Sequence, residues 1–317
     1  MNNPEKIFET FQHKFPLLKK EIAKKIIGQE DIIHKIILSI MANGHSLLIG
    51  VPGLAKTLMI HSIAEALDLS FSRIQFTPDL MPSDILGSEI LDANRQFRFI
   101  KGPVFANIIL ADEINRTPPK TQSALLEAMQ EKKVTVSGKD YLLDKPFFVL
   151  ATQNPIEQEG TYPLPEAQLD RFMFSLYVDY PSEQEEVEIV TRTTSAKDET
   201  IEPVLSKEEI LAVQQLVRQM PVTENVVQYA VNIARRSRPG KDAPEIVNKY
   251  VRYGAGPRAS QYMILGAKAH ALSGGKLSPD REDVQFVAKN ILRHRILRNY
   301  KAEAEGIKEE EIIEAIW

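Results

Sequence analysis

The chain has 317 residues, of which 43% are hydrophobic and 26% are charged, and its formal net charge is −4. This composition is that of an ordinary globular protein, and the negative net charge gives no electrostatic support for binding nucleic acid or an anionic membrane. Cysteine is absent, which excludes disulfides and thiolate metal sites and favours a reducing compartment. No apolar run approaches the roughly 20 residues that cross a bilayer, and the N-terminus has no apolar signal core. We therefore expect a cytoplasmic protein without membrane insertion.

The N-terminal region predicts two helices separated by a break. The pattern over 4–26 is helical with an interruption near Pro16, and isoleucines at three- and four-residue spacing over 32–40 predict the second helix. Between them, the sequence Ile27-Gly28-Gln29-Glu30-Asp31 interrupts the periodicity. Asn43-Gly44 ends the second helix and leads into the first predicted strand.

The stretch 47–57, LLIGVPGLAKT, carries the strongest chemical signal. An apolar strand, a glycine-containing loop, Lys-Thr and a helical pattern follow one another, which is the order of a phosphate-binding loop. In such a loop Lys56 would reach the β- and γ-phosphates, and the Thr57 hydroxyl would hold Mg²⁺. Ala55 stands where the consensus has a second glycine; if that position has right-handed helical dihedrals, a methyl group fits there without strain. The residues of this stretch expected to contact the nucleotide are Gly50, Pro52, Gly53, Leu54, Ala55, Lys56, Thr57 and Leu58.

Two carboxylates end the next strongly apolar stretch, 108–113 (IILADE). The continuous apolar run predicts a strand buried on both faces, as in a parallel sheet. Asp112 and Glu113 then lie at the carboxyl end of the strand, where open α/β sheets bind their ligands. One carboxylate would hold Mg²⁺, directly or through water, and the other would polarise the attacking water. The alternative for an acid pair at a strand end is a solvated sheet edge.

The remaining elements of the first half predict an alternation of strands and helices, typical of a parallel α/β sheet. Between the strand at 71–76 and the acid pair, 87–100 predicts either a hairpin or a short helix. The turn chemistry of 137–140 predicts a hairpin over 134–143. The other predicted elements are a helix after Thr117-Pro118-Pro119, a strand over 147–152, a short helix over 165–171 and a strand over 172–178.

Asn154 follows the strand at 147–152, next to the predicted acid strand. Its amide would hydrogen-bond the attacking water or the γ-phosphate. The alternative is a structural role, because Asn-Pro commonly starts a turn.

The composition changes near 180–205, and beyond this region the sequence shows only helical periods. We therefore predict an α/β nucleotide-binding core over 1–192, with the N-terminal helices included, a polar linker over 193–205 and an all-helical domain over 206–317.

Two arginines outside the sheet ends are candidate functional residues. Arg171, in QLDRF, would neutralise charge on a phosphoryl group in the transition state. We expect it on the far side of the sheet from the phosphate loop, where it would serve a neighbouring subunit; the alternative is a surface pair with Asp170. Arg258 starts a helix of the second domain and would reach the γ-phosphate; the alternative is an exposed arginine at a helix start.

Basic clusters in the second domain are expected to be solvated helix faces, because aromatic stacking partners are sparse and the net charge is negative. They comprise Arg235, Arg236 and Arg238, and then Arg293, His294, Arg295 and Arg298.

The motifs GVPGLAKT, LADEINR, ATQNP, LPEAQLDRF and GPR occur in this order and spacing over nearly the whole chain. Together they resemble those of the AAA+ ATPases, and most closely the MoxR family. The resemblance implies a P-loop core with a helical lid. It also implies that Lys56 and Thr57 form Walker A, that Asp112 and Glu113 form Walker B, that Asn154 is sensor 1, that Arg171 is the arginine finger and that Arg258 is sensor 2.

The resemblance extends to segments with weaker signals. Gly28-Gln29 would contact adenine, the region 88–101 would be the helix-2 insert, and hairpin 134–143 would be the pre-sensor-1 hairpin. In relatives the helix-2 insert and the pre-sensor-1 hairpin line the central face of a hexameric ring. Arg116 would either face a neighbouring protomer or be an ordinary arginine at a helix start. Phe97 and Phe99 would either grip a substrate chain or pack on their own domain.

The function implied is that of a Mg²⁺-dependent ATP hydrolase in which Glu113 activates water. It would form a homo-hexamer and remodel protein clients, with a partner that bears a von Willebrand A domain; nucleic acid is not an expected partner. Two alternatives stay open: a nucleotide-gated scaffold with little turnover, and a DNA-stimulated motor of the minichromosome-maintenance type.

Overall fold

The computed structural model describes residues 3–91, 93, 95–157, 160–195 and 199–317. Asp92 and Asn94 of the predicted 88–101 segment therefore lie outside the described residues, as do 196–198 of the predicted linker. The strands, in chain order, are β1 (Ser46–Ile49), β2 (Phe71–Gln75), β3 (Gly87–Leu91), β4 (Phe97–Lys101), β5 (Ile108–Asp112), β6 (Lys133–Val136), β7 (Lys139–Leu142), β8 (Phe148–Gln153), β9 (Phe174–Tyr177), β10 (Val251–Tyr253) and β11 (Leu297–Arg298).

The helices alternate with the strands in the first half of the chain and dominate the second half. In chain order they are α1 (Pro4–Ile22), α2 (Glu30–Met41), α3 (Lys56–Ala66), α4 (Pro82–Leu86), α5 (Pro119–Glu131), α6 (Glu166–Leu169), α7 (Glu183–Thr193), α8 (Lys207–Gln219), α9 (Glu224–Arg236), α10 (Glu245–Tyr250), α11 (Pro257–Ser273), α12 (Arg281–Leu292), α13 (Tyr300–Ala304) and α14 (Glu309–Glu314), with a short 3-10 turn at Ile114–Arg116.

The chain divides into two compact units. The sheet unit comprises His13–Leu164 and Leu176–Ala212, and the helical unit comprises the residues up to Gln12, Pro165–Ser175 and Val213–Trp317. The segment Pro165–Ser175, which the sequence alone placed in the core, thus belongs to the helical unit. The functional domain limits given from the sequence, with a linker at 193–205, stay a prediction.

The central sheet has the strand order β2-β5-β8-β1-β9. β5 pairs in parallel with β2 and with β8, and β8 pairs in parallel with β1. All residues of β5 are buried, as the continuous apolar run predicts. Because parallel strands end at the same edge of a sheet, the residues that follow β1, β5 and β8 meet there. The predicted parallel α/β core is confirmed, and the second half of the chain is mainly helical, as predicted.

The structure tests three local predictions. Helix α1 runs through Pro16 without the predicted interruption. Proline removes one backbone hydrogen bond, but its φ is close to helical, and the helix buries Phe11, Leu18 and Ile22 along one face. The ambiguous 87–100 stretch contains an antiparallel hairpin, in which Gly87 pairs with Lys101, so the hairpin alternative is correct. β6 and β7 form the second predicted hairpin.

The helical unit is built mainly on the mutual packing of α9, α11 and α12. It also contains a feature that the sequence did not predict: β10 and β11 pair antiparallel, with Val251 opposite Arg298. Strands of three and two residues are too short to show a period-two pattern. Across the described residues, no helix combines the length and apolarity that crossing a membrane requires.

Candidate functional site

The loop between β1 and α3 contains two residues with positive φ. Gly53 has φ +86° and Ala55 has φ +51°. Ala55 is therefore left-handed, and the condition under which its methyl group would fit without strain is not met. A left-handed alanine costs about 1–2 kcal/mol, and alternating backbone conformations of this kind turn successive N–H groups towards one point. The strain is thus tied to the geometry that a phosphate requires.

Close packing explains why position 50, the first residue of the loop, is a glycine. A Cβ at Gly50 would lie 2.9 Å from the Cβ of Val178 and 3.0 Å from its carbonyl oxygen, so a larger residue would displace the loop from the sheet edge. Lys56 folds back over the loop, and its Nζ donates to the carbonyl oxygens of Gly50 and Val51 at 2.5 and 3.2 Å. Thr57 is half-buried in the first turn of α3.

The acid pair lies close enough to Lys56 to act on it electrostatically. Burial lowers the pKa of Lys56, and the negative charges of Asp112 and Glu113 oppose that shift. Asp112 accepts a hydrogen bond from the Thr152 hydroxyl at 2.6 Å. It also forms an ion pair with Arg73, in which Arg73 Nη2 lies 2.7 Å from Asp112 Oδ2.

Glu113 adopts a left-handed backbone, with φ 57°, directly after β5. Its backbone N–H donates to the Thr152 hydroxyl at 2.9 Å, so Thr152 fixes both acids. Its carboxylate Oε2 accepts from Gln75 Nε2 and from Arg116 Nη1, each at 2.9 Å. The hydrogen bond and charge of Glu113 raise the pKa of Arg116.

A continuous polar network therefore surrounds the acids. Arg73 Nη2 also donates to Gln75 Oε1 at 2.6 Å, which links the partner of Asp112 to the partner of Glu113. Sequence reasoning missed Arg73, Gln75 and Thr152. Their signal was present but weak: polar residues alternate along the predicted strand at 71–76, and Thr152 ends the strand before Asn154.

Asn154 lies directly beyond β8, between the acid strand and β1 in the sheet order. The Gly50 N–H donates to the Gln153 carbonyl at 3.2 Å, which places Asn154 beside the start of the phosphate loop. Its Oδ1 accepts the Ile156 N–H at 3.1 Å, so the turn alternative is present in the structure. The residue as a whole is buried.

A cavity of about 610 Å³ adjoins the phosphate loop. Its size lies within the roughly 300–1,000 Å³ of small-molecule sites. Gln29, Leu58 and Ile189 line it, so the predicted adenine segment and the phosphate loop share one cavity. Gly28 has φ +68°, and a Cβ there would collide with the Glu185 carboxylate.

The other two predicted arginines lie in the helical unit. Arg258 begins α11, and its Nη1 lies 3.1 Å from Asp170 Oδ2. Arg171 follows Asp170 in the chain and is half-buried. Its carbonyl oxygen accepts the Tyr262 hydroxyl at 3.1 Å.

The second basic cluster is not a solvated helix face, and that prediction is wrong. The side chain of Arg295 is 2% exposed and pairs with Asp170, and that of Arg293 is 10% exposed and pairs with Glu310. Both cations form ion pairs within the helical unit, because the segment after α12 runs through its interior. In the first cluster, Arg235 pairs with the exposed Asp242.

The residues at the sheet edge fit a nucleotide with Mg²⁺. Mg²⁺ is held in proteins by one or two carboxylates, substrate phosphates and waters. The Asp112 carboxylate is a hard oxygen donor that already attracts a cation, the half-exposed guanidinium of Arg73. The Lys56 ammonium donates to loop carbonyl oxygens, and a bound phosphate could replace these carbonyls as the acceptor.

Comparison with known proteins shows two matching family models. One is described as the ATPase family associated with various cellular activities and matches residues 45–174; the other is described as the AAA lid domain and matches 243–316. Chaperone MoxR1 of Mycobacterium tuberculosis is 43% identical over 298 residues, 93% of this chain and 79% of that protein. Protein MoxR of Methylorubrum extorquens is 28% identical over 88% of this chain and 86% of that protein.

A solved structure matches equally broadly. The crystal structure of a candidate ATPase from Cytophaga hutchinsonii has a TM-score of 0.93 and 43% sequence identity, and the match covers 98% of this chain and 96% of that one.

Proposed function

The chain belongs to the MoxR family of AAA+ ATPases, and from that membership we propose that it hydrolyses ATP and couples the hydrolysis to remodelling of protein clients. The observation that carries the proposal is the meeting of three strand ends at one sheet edge. They bring Lys56, the Asp112-Glu113 pair and Asn154 around a strained anion-binding loop.

Each of these residues has a proposed role. The loop amides and Lys56 bind the β- and γ-phosphates, and residues of the 610 Å³ cavity, Gln29 among them, receive the adenine. Thr57 and Asp112 would hold Mg²⁺, which when bound neutralises phosphate charge. Glu113 accepts the proton of the attacking water, and the Asn154 amide orients that water or the γ-phosphate.

Two arginines complete the proposed machinery. Arg171 acts in trans on the nucleotide of a neighbouring protomer, and Arg258 acts on the γ-phosphate of its own protomer. A trans-acting arginine requires a neighbouring protomer, and we propose that the protomers form a homo-hexameric ring. The chaperone name of the Mycobacterium tuberculosis relative supports protein clients, and we propose a partner with a von Willebrand A domain and a cytoplasmic location.

The substitution Glu113→Gln tests the chemistry. The amide keeps the shape of the side chain but cannot accept a proton, so we expect unchanged ATP affinity and turnover lower by about 10²–10⁴-fold. Calorimetry measures the binding, and steady-state phosphate release measures the turnover.

Glu127→Gln is the matched control, since Glu127 is exposed on α5 and should leave both quantities unchanged. Wild-type turnover by Glu113→Gln would remove Glu113 as the base. Absence of nucleotide binding by the wild type with Mg²⁺ present would overturn the entire proposal.

A further inference from the structure

The backbone around Arg171 is held at four successive carbonyl oxygens, those of residues 170–173. Three of them, at Asp170, Phe172 and Met173, accept hydrogen bonds from the Arg295 guanidinium, and the Arg171 carbonyl accepts the Tyr262 hydroxyl. A chain segment whose consecutive carbonyls are all bound by side chains from elsewhere has little freedom to change its backbone dihedrals.

Arg295 contributes most of these bonds from a buried position. Its Nη2 donates to the carbonyl oxygens of Asp170 and Phe172 at 2.8 and 2.7 Å, and its Nε donates to Asp170 Oδ1 at 2.7 Å. One nitrogen thus holds the residues on both sides of Arg171. Burial lowers the pKa of Arg295 and the Asp170 carboxylate opposes the shift, so the buried charge is paired.

Only a guanidinium satisfies this arrangement. Its donors point in fixed directions in one plane, whereas a lysine ammonium is a single point that cannot span a carboxylate and separated carbonyls together. Nη1 of Arg295 also donates to the Ile291 carbonyl at 2.6 Å, which anchors the group to the last turn of α12. The planar group therefore ties the Arg171 segment to the buried last turn of α12.

Asp170 links this anchor to the second predicted arginine. Its Oδ1 pairs with Arg295, and its Oδ2 pairs with Arg258 at 3.1 Å. The side chain of Arg258 is 39% exposed, against 2% for Arg295. When Arg258 turns to another anion, Asp170 thus keeps its buried partner and the segment keeps its anchor.

We propose that Arg295 is the positioning residue of the Arg171 segment: through Asp170 and the flanking carbonyls it fixes the backbone from which Arg171 reaches a neighbouring protomer. The inference rests on the proposed function, because it gives a purpose to the Arg171 geometry only if Arg171 acts in trans. It assigns Arg295 no contact with the nucleotide. The role requires a rigid base, since a displacement of about 1 Å can cost on the order of 10²-fold in rate.

The test compares Arg295→Lys with Arg298→Lys. Arg298 lies three residues on, is also paired, with Glu309, and does not contact the segment. We expect Arg295→Lys to keep ATP affinity and to lower turnover by about 10–100-fold, and Arg298→Lys to match the wild type.

Mixing then separates positioning from general damage. An Arg295→Lys protomer keeps its own phosphate loop and Glu113, and a Glu113→Gln protomer supplies an intact Arg171 segment. Mixed rings should therefore turn over faster than the sum of the two parents, whereas a merely destabilised subunit would not be rescued. If Arg295→Lys does not fold, Asp170→Asn, which removes the charge that pairs with both Arg295 and Arg258, carries the same mixing test, because mixing relieves only the part of the loss that arises from Arg171 acting in trans.

The outcomes distinguish the inference from the proposed function. Turnover by Arg295→Lys at the wild-type rate, or a loss that mixing does not relieve, overturns the positioning role, provided that Arg171→Ala is slow and is rescued by Glu113→Gln. A wild type without turnover, or an Arg171→Ala variant that hydrolyses normally, refutes the proposed function instead.

Discussion

At the residue scale, the carboxylate of Glu113 is held by two donors on one oxygen. Gln75 and Arg116 both bind Oε2 at 2.9 Å, and the Glu113 side chain is only 19% exposed. Two donors on one oxygen fix the orientation of the carboxylate, and a carboxylate held in this way cannot turn freely towards a water molecule. The structure therefore shows Glu113 restrained by its neighbours.

We predict that Gln75→Leu raises basal ATP turnover. The substitution removes one hydrogen bond from the Glu113 carboxylate, worth about 0.5–1.5 kcal/mol net, and leaves the carboxylate freer to turn towards water. We therefore expect the turnover rate to rise by a factor of roughly 2–10. Phosphate release without client measures the effect. Ser72→Ala on the same strand is the control, because successive side chains of a strand point to opposite faces. An unchanged or lower rate for Gln75→Leu would show that Gln75 aids the base instead.

At the element scale, the two hairpins of the sheet unit are joined by aromatic rings. Phe99 of β4 stacks on Tyr141 of β7 with ring centroids 4.0 Å apart and meets Phe105 edge-on at 5.7 Å. Phe97, two residues earlier, is 74% exposed. The sequence left open whether these phenylalanines pack or contact a client; the structure shows that Phe99 packs on its own unit and leaves the Phe97 ring accessible.

We predict different costs for the two truncations. Phe99→Ala should lower the free energy of unfolding by about 1–2 kcal/mol, because it removes a stacked pair and its buried area. Phe97→Ala should change it by less than about 0.5 kcal/mol, as is usual for exposed sites. Urea unfolding of both variants measures the difference. Equal losses would mean that Phe97 also packs, and would leave no aromatic side chain on this hairpin for a client.

At the scale of the whole molecule, the proposed machinery is divided between the two units. The sheet unit carries the phosphate loop, the acids and Asn154, whereas Arg171 and Arg258 belong to the helical unit. A division of this kind suits an ATPase in which one protomer completes the site of another.

We predict that Arg171→Ala and Glu113→Gln complement each other. Each variant alone should be slow, since one lacks the trans-acting charge and the other lacks the base. In mixed rings the Glu113→Gln protomer lends its Arg171 to a neighbour with an intact Glu113, so turnover should exceed the sum of the two. Sedimentation in the presence of ATP tests the assembly itself. Strictly additive rates in assembled mixtures would place Arg171 outside the chemistry of its neighbour.

The sequence by itself determined the features that contiguous residues encode. The phosphate loop, the acid pair at the end of an apolar strand and the Asn154 strand end are each local patterns, and parallel pairing alone suffices to bring them to one edge. The alternation of strands and helices likewise predicted the α/β core.

Only the tertiary structure decided which distant side chains surround these features. Gln75 reaches Glu113 because the register of β2 on β5 places it opposite Asp112, and Arg295 meets Asp170 across 125 residues of sequence. Ala55 is left-handed because the loop must aim its amides, whatever an alanine prefers. Register, burial and backbone strain arise from packing between separate parts of the chain, and no local pattern records them.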